Sequence, residues 1–354
     1  MTIFLQFHLL TAYGPSNPNR DDQGRPKQAM VGGAPRLRFS SQSQKRALRE
    51  SAFFALDLSG NIGTRTKRLH ENLVAHLAGK GIAGDAAAQA AETVATIFGN
   101  LEAAKKDDTG RVATTLAFIS PQEWQLAVEL AEKIAAGEEP PKEKDLKKLV
   151  LRRADGAVDI AMFGRMLAND ADFNRDAAVQ VAHAITTHAA QSEEDWYSAV
   201  DDLNKAGDTG AGHLGETGFG SGIYYQYVCI DCGLLVENLD GDRELAARGA
   251  EALARALAQT TPRGKQNSFA HHPRAHLVLA EAGRNAPRDL SGAFFAPVSR
   301  QPLLASSVKA LDDTRADIDR AYGRVWEAER RMEVGVGGTL DEIVRFAGET
   351  VRGA

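Results

Sequence analysis

Cysteine is almost missing from this chain: two among 354 residues exclude a scaffold held by disulfides. Long apolar runs are missing too. No stretch of about 18 consecutive apolar residues occurs, and the first residues lack the basic-then-apolar pattern of a secretory signal. The protein is therefore expected in the cytoplasm, away from membranes. There is no Gly-Lys-Ser/Thr phosphate loop, no nucleophile elbow and no Ser–His–Asp order, so positive evidence for catalysis is absent. An overall excess of basic residues, the mark of indiscriminate nucleic-acid coating, is lacking as well, since the formal net charge is −5. The rest is ordinary. Hydrophobic residues make up 43% and charged residues 25%, in a chain long enough for one large or two modest domains with real cores.

One stretch departs from that average. Between Arg36 and Arg49, Ser40 or Ser41 is a good helix N-cap, and Gln44 offers a capping-box partner to Ser41. At about 100° per residue two faces separate. Gln42, Lys45, Arg46 and Arg49 fall on one side, and Ala47, Leu48, Ser51, Phe54, Ala55 and Leu58 on the other. The apolar side can bury while the opposite side holds three cations and an amide. Hydroxyls and unpaired backbone N–H groups in the first turn suit phosphate oxygens.

Upstream, Pro15 to Pro35 is a long loop rich in Pro, Gly and Asn, and loops of this length are usually functional or disordered. From Arg20 to Glu50 the sequence holds eight Lys or Arg and three acids, a local +5 in an acidic protein. Such a patch is the electrostatic footprint of a polyanion site. Arg20, Lys27, Arg38, Lys45, Arg46 and Arg49 can supply a phosphate track, with Ser40 and Gln42 as polar companions. Single strands also need rings on which bases stack, and Trp196-Tyr197, set among acids, fit that need better than a core.

Along the chain, Thr2–Tyr13 reads as a strand, with Leu5, Phe7 and Leu9 on one face and a mixed face carrying Gln6 and His8. Helical patterns follow at 69–79, 84–100, 121–136, 142–153, 158–168 and 176–190, with a short strand inside 112–119. Ala91, Val94, Ala95, Phe98 and Leu101 form a buried stripe. Met166 belongs by spacing to the helix of Ile160, Met162 and Phe163, hence to the core. Later come a strand over 223–236, a helix over 244–258, strands at 276–282 and 294–298, and a helical run over 302–332. Strand–helix elements at both ends flank a helical middle, which is the pattern of an α+β fold with a large insertion.

Four constellations invite a chemical reading that their residues alone do not sustain. Cys229 and Cys232, with His271, His272 and His276 downstream, have a superficial zinc look. Both cysteines fall in an expected strand, however, and a spacing of three points them to opposite faces. The seven glycines between 207 and 222 read as a flexible loop. Asp201-Asp202 is a paired-acid candidate for metal-dependent cleavage, though neighbouring acids are more often a solvated turn. The lysines at 142, 144, 147 and 148, with Arg152 and Arg153, are diluted by Glu143 and Asp145 and read first as a solvated helix.

Asn17-Pro-Asn-Arg-Asp-Asp-Gln-Gly-Arg-Pro-Lys27, Val31-Gly-Gly33 and Arg38-Phe-Ser-Ser-Gln-Ser-Gln-Lys-Arg46 closely resemble the N-terminus of the CasC family, the backbone subunits of the type I-E CRISPR surveillance complex Cascade. The likeness continues in Phe163-Gly-Arg-Met166, Val179–His188, Ala199–Leu203, Gly212–Thr217 and Phe269–Pro273, in unbroken order. It implies a core resembling the RNA recognition motif (a ferredoxin-like palm) over 1–60 and 223–354. A helical fingers insertion over 61–190 and an extended thumb loop or hairpin over 191–222 complete the implied fold. It further implies a non-catalytic, cofactor-free subunit, with crRNA, target DNA, further copies of itself and other Cascade subunits as partners. On this likeness Met166 joins Trp196 and Tyr197 where the guide–target duplex is kinked. Lys142, Lys144, Lys147 and Lys148 become weak DNA contacts. Relatives in other CRISPR classes cut RNA with a thumb aspartate, which keeps a ribonuclease using Asp201 or Asp202 as the alternative.

Overall fold

Strand β1, Phe4–Ser16, is where the hydrophobic alternation of the sequence meets the fold. Leu5, Phe7 and Leu9 are fully buried on one face, as their spacing predicts. The mixed face is buried as well: Gln6 is 2% exposed and His8 not at all. The reason is that β1 is an interior strand, between Ala275–Gly283 and His213–Asp231, and lies under a helix, Leu303–Tyr322. The computed structural model describes residues 2–104, 110–152, 155–167, 171–199, 213–299 and 301–354. They divide into two compact units, one of Met1–Phe54, Gln180–Ile230 and Ala250–Ala354, the other of Ala55–Val179 and Asp231–Gly249.

The first unit is mixed α/β. Its sheet runs Ala328–Glu333, Ala275–Gly283, β1, His213–Asp231, Ala184–Thr186, β3 (Ala34–Phe39) and β2 (Gln28–Val31). β1 pairs antiparallel with Ala275–Gly283, Phe7 opposite Ala280. β3 pairs antiparallel with both β2 and Ala184–Thr186. Most polar groups on the mixed face of β1 are paired, as burial demands, while His8 Nε2 has only the Glu281 carboxylate, 3.4 Å away. The His8 ring Nδ1 lies 2.9 Å from the Tyr225 hydroxyl, and Tyr227 donates to Gln6 at 2.8 Å. Glu281, wholly buried, takes Arg288 at 2.6 Å and Arg315 at 2.7 Å. Burial alone would raise the Glu281 carboxyl; hydrogen bonds from His8 and Arg288 outweigh it and hold the group at about 2. Burial pushes His8 below the ordinary imidazole value, so it stays neutral beside this carboxylate.

The second unit is chiefly helical. Leu69–Gly79, Asp85–Ala95, Pro121–Ala135 and Glu143–Val150 close around Leu73, Leu77, Ala91, Val94, Ala127 and Val150. The stripe read from Ala91 to Leu101 is indeed the core side, with Leu101 half-buried. Pro121 opens its helix after Ser120, whose capping box with Glu123 is complete. Asp231–Gly249 joins this unit: the Asn238 amide donates to the carbonyls of Ala161 (3.0 Å) and Asp176 (2.9 Å).

Several element readings are corrected. The 176–190 stretch is not helical but holds two short strands, Val179–Val181 and Ala184–Thr186. Its alanines favour a helix, but the β-branched Val179, Val181, Ile185 and Thr186 suit a strand, and pairing with the sheet overrides the local propensity. The expected strand over 223–236 ends at Asp231, which N-caps a helix Cys232–Asn238 by accepting from Leu234 N–H. Cys232 therefore opens a helix, and both thiols are buried and reduced. Residues 294–298 form no strand; a single turn, Ser291–Phe294, stands there. The run over 302–332 breaks at Gly323, φ +83°, and resumes as strand Ala328–Glu333. Among the described residues no helix is long and apolar enough to cross a membrane, and no group of three or more His, Cys, Asp or Glu is placed to hold a metal ion.

Candidate nucleic-acid interface

Helix α1, Ser41–Arg49, begins at Ser40, whose hydroxyl accepts from Ser43 N–H at 3.3 Å. Its first turn carries no acid, and Arg46 and Arg49 stand in its last turn, where they complement the helix dipole. Ala47 and Leu48 are buried, Gln42 and Arg46 exposed, Lys45 and Arg49 half-exposed. The two faces expected from the sequence are thus present. Gln44 does not complete a capping box. It is buried, and its amide donates to the carbonyls of Ala182 at 3.0 Å and Phe39 at 3.4 Å. The apolar side is also shorter than a continuous helix would give, because the chain breaks at Glu50–Ser51 and Ala55 lies exposed.

The loop before β2 is folded onto this helix. Asn17, fully buried, donates to the carbonyls of Gly24 (2.9 Å) and Gly218 (2.8 Å). The Asp21 carboxylate closes a turn by accepting from the N–H groups of Gln23 and Arg25. Lys27 N–H donates to Asn19 O, Arg38 N–H to Lys27 O, and Ser40 N–H to the Asn19 side chain at 2.7 Å. Arg20, Lys27, Arg38, Ser40, Gln42, Lys45, Arg46 and Arg49 are in this way assembled by one loop, one strand and one helix of the first unit. Arg36 drops out of the cationic patch: it is wholly buried and donates to Phe294 O at 2.9 Å. Arg46 pairs with Glu50 at 2.8 Å, but both side chains are well exposed, so the pair holds the guanidinium only weakly.

The structure adds His183, which the sequence reading passed over. Arg38 Nη1 lies 2.6 Å from its ring Nδ1. The signal was present in the Val179–His188 block, but the pairing spans 145 positions and follows only from the register of β3 on Ala184–Thr186. Burial, then the charges of Arg38 and Lys27, push His183 below its ordinary value. Phosphate oxygens beside Arg38 and Lys27 would offset those charges and lift it again. A phosphate chain bound here would therefore leave the protein carrying more protons than in its free state, so affinity for such a chain is expected to rise as pH falls through the His183 titration, which lies below the ordinary imidazole range. His183→Asn should flatten that dependence in anisotropy titrations; an unaltered pH profile would exclude His183 as its source.

Trp196 and Tyr197 lie on an antiparallel ribbon of Glu193–Ala199 against the start of His213–Asp231, Trp196 opposite Glu216 and Tyr197 opposite Gly215. Part of the expected glycine loop is therefore strand. Successive strand residues project to opposite sides, so the two rings do not form one platform. Trp196 is 63% exposed and Tyr197 45%. The Tyr197 ring lies across Gly215, where a Cβ would come within 2.6 Å of it. Met166 is not core but 82% exposed. Gly164, φ +78°, ends the helix at Phe163, and Arg165 behind it is anchored in the interior of the second unit. Lys142 and Lys148 are exposed and Lys147 half-buried, with Lys147 lining a cavity of about 700 Å³ beside Thr93, Thr96 and Asn100. The side chain of Lys144 lies outside the described residues, as do Asp201 and Asp202. The helix expected over 142–153 ends at Val150, so Arg152 lies beyond it and donates to the carbonyls of Lys148, Leu149 and Leu151.

A mixed α/β unit with a cationic helix and a folded basic loop, joined in sequence to a helical unit, has counterparts among solved structures. A chain of a complex described as "CRISPR RNA-guided surveillance complex, pre-nicking" is 27% identical, with TM-score 0.83 over 97% of this chain and 100% of that one. A second, from a "CRISPR RNA-guided surveillance complex", shares the fold at 23% identity and TM-score 0.61, over 97% of this chain and 99% of that one. No curated protein matches the sequence. The family described as CT1975-like protein matches residues 5–340, and the chain belongs to that family.

Proposed function

We propose that this chain is the guide-binding backbone subunit of a Cascade-type CRISPR surveillance complex, of the type I-E branch. Family membership and the likeness to a chain of an RNA-guided complex support the reading. The observation that carries it is the cationic side of α1, Lys45, Arg46 and Arg49, turned outward beside a basic loop that is pinned to the same surface. In this reading the sheet-bearing unit is an RNA-recognition-motif-like palm, the helical unit the fingers, and the Trp196 ribbon the base of a thumb. The palm holds crRNA by its phosphates and leaves base edges free to pair with target DNA, so specificity resides in the guide. Further copies join head to tail along the guide, a heterologous contact that builds an open helix, and other Cascade subunits complete the assembly. Met166, Trp196 and Tyr197 act as wedges against the bases, and Lys142, Lys147 and Lys148 touch DNA phosphates. The subunit works without cofactor in the cytoplasm, and a separate nuclease cuts the target.

Purification from the native host is expected to yield bound RNA that sequences as repeat–spacer units. Labelled single-stranded RNA should remain intact with the purified chain and Mg²⁺. Cleavage under those conditions would favour a metal-dependent ribonuclease using Asp201 or Asp202, and protein free of nucleic acid would favour a protein-interaction module.

A further inference from the structure

We propose that the loop 261–272 is a second phosphate-binding wall of the same groove, with Arg263 and Lys265 as its contacts. The inference rests on the RNA-binding reading above and extends it to residues far downstream in the chain. A cavity of about 700 Å³ in the first unit is lined on one side by Arg20, Ser43 and Arg46, and on the other by Pro262, Arg263 and Gly264. Three guanidinium-bearing residues from three separate segments therefore meet around one open space. Three acids line the same space: Asp21, whose carboxylate is held in a turn by backbone N–H groups, Asp22, and Glu50, which pairs with Arg46 at the exposed end of α1, so the cavity offers placed guanidinium donors rather than a net positive charge.

The loop is braced rather than draped. Arg263 Nη2 donates to Glu50 O at 3.2 Å, which ties it to the C-terminal end of α1. Gly264 N–H donates to Pro18 O at 3.2 Å, and a Cβ there would come within 2.4 Å of that oxygen, so only glycine allows this approach. His271, 6% exposed, lies with its ring Nε2 3.0 Å from Pro262 O, and the Gln266 amide donates to His271 O at 3.2 Å. Lys265 and Ala270 hold left-handed backbone, φ +52° and +50°, which non-glycine residues adopt only when their surroundings impose it. Arg263, Lys265 and Asn267 are exposed. A pinned backbone carrying outward cations loses little freedom when it meets a phosphate chain, and that pre-organisation favours binding.

The test uses the full chain with Arg263→Gln and Lys265→Gln together, and a mixed-sequence single-stranded RNA oligonucleotide titrated across a salt series. Both side chains are exposed, so the thermal midpoint should match wild type. Affinity should fall about tenfold near 0.1 M salt, and the slope of log K against log salt should flatten by about 1.4, two contacts at ~0.7 each. The charge-keeping pair Arg263→Lys with Lys265→Arg should retain both. Unchanged affinity and slope, in a preparation where Lys45→Glu with Arg49→Glu has lost RNA, would overturn the second wall and leave the α1 site standing. Retention of RNA by both double variants would overturn the wall and the groove together. Unchanged RNA binding with lost self-association in light scattering would also overturn it, by assigning the loop to a neighbouring copy.

Discussion

Lys45→Glu combined with Arg49→Glu is expected to abolish RNA binding while the protein stays folded. The two positions are four apart on α1, so their side chains share one face. Both are half-exposed, whereas the residues that seat the helix, Gln44, Ala47 and Leu48, point the other way. Reversing both charges changes the local field by four units where the phosphate chain would lie. Two attractive contacts become two repulsive ones, and affinity near 0.1 M salt should fall by more than about 100-fold. The folded state should move little, because substitutions away from buried networks usually stay within about 0.5 kcal/mol. Anisotropy with single-stranded RNA and a thermal melt on the same preparation separate the two effects. Wild-type affinity in the double variant would refute the site, and a collapsed melt would show that the basic face is structural.

The second large effect lies in the helical unit. Glu123 is wholly buried, its Oε2 2.5 Å from Arg165 Nη1, and its two oxygens also accept from Ser120 N–H (3.1 Å) and Arg152 N–H (2.9 Å). Arg165, 1% exposed, in turn donates to the carbonyls of Phe118, Arg152 and Phe173. Glu123→Ala leaves a guanidinium in the interior with no countercharge and removes the capping-box acceptor. Breaking a buried pair from one side destabilises by about 3–5 kcal/mol, so the thermal midpoint should drop by roughly 10 °C. Replacing both partners, Glu123→Leu with Arg165→Met, should recover much of the loss, because no uncompensated charge remains. A midpoint within about 2 °C of wild type for Glu123→Ala would show that the pair carries no weight. This network also accounts for the Phe163–Met166 block: its Arg is an interior anchor, and the Met next to it is held outside.

The amphipathic faces of α1 and the Ala91–Leu101 stripe were legible because helix periodicity is local, and each residue's side follows from its neighbours. Met166 was misread for the same reason in reverse. Its spacing is helical, but Gly164 between it and Phe163 turns the chain away. The stretch Pro15–Pro35 reads from composition as a loop, either functional or disordered; in the structure Gln28–Val31 is strand β2, and Asn17, with partners at Gly24 and Gly218, orders the part before it. Arg263 carries no local signal, and His183, though it lies within the Val179–His188 block, meets Arg38 only through strand register.

By itself, then, the sequence determined where positive charge is concentrated, that α1 has one side to bury and one to present, and which family blocks occur in which order. These are properties of neighbours along the chain. The tertiary structure alone decided that Arg36 turns inward, that Trp196 and Tyr197 project to opposite sides of a ribbon, and that residues 20, 46 and 263 line one cavity. Those outcomes depend on strand register and on contacts between segments hundreds of residues apart, which no local pattern of charge or hydropathy encodes.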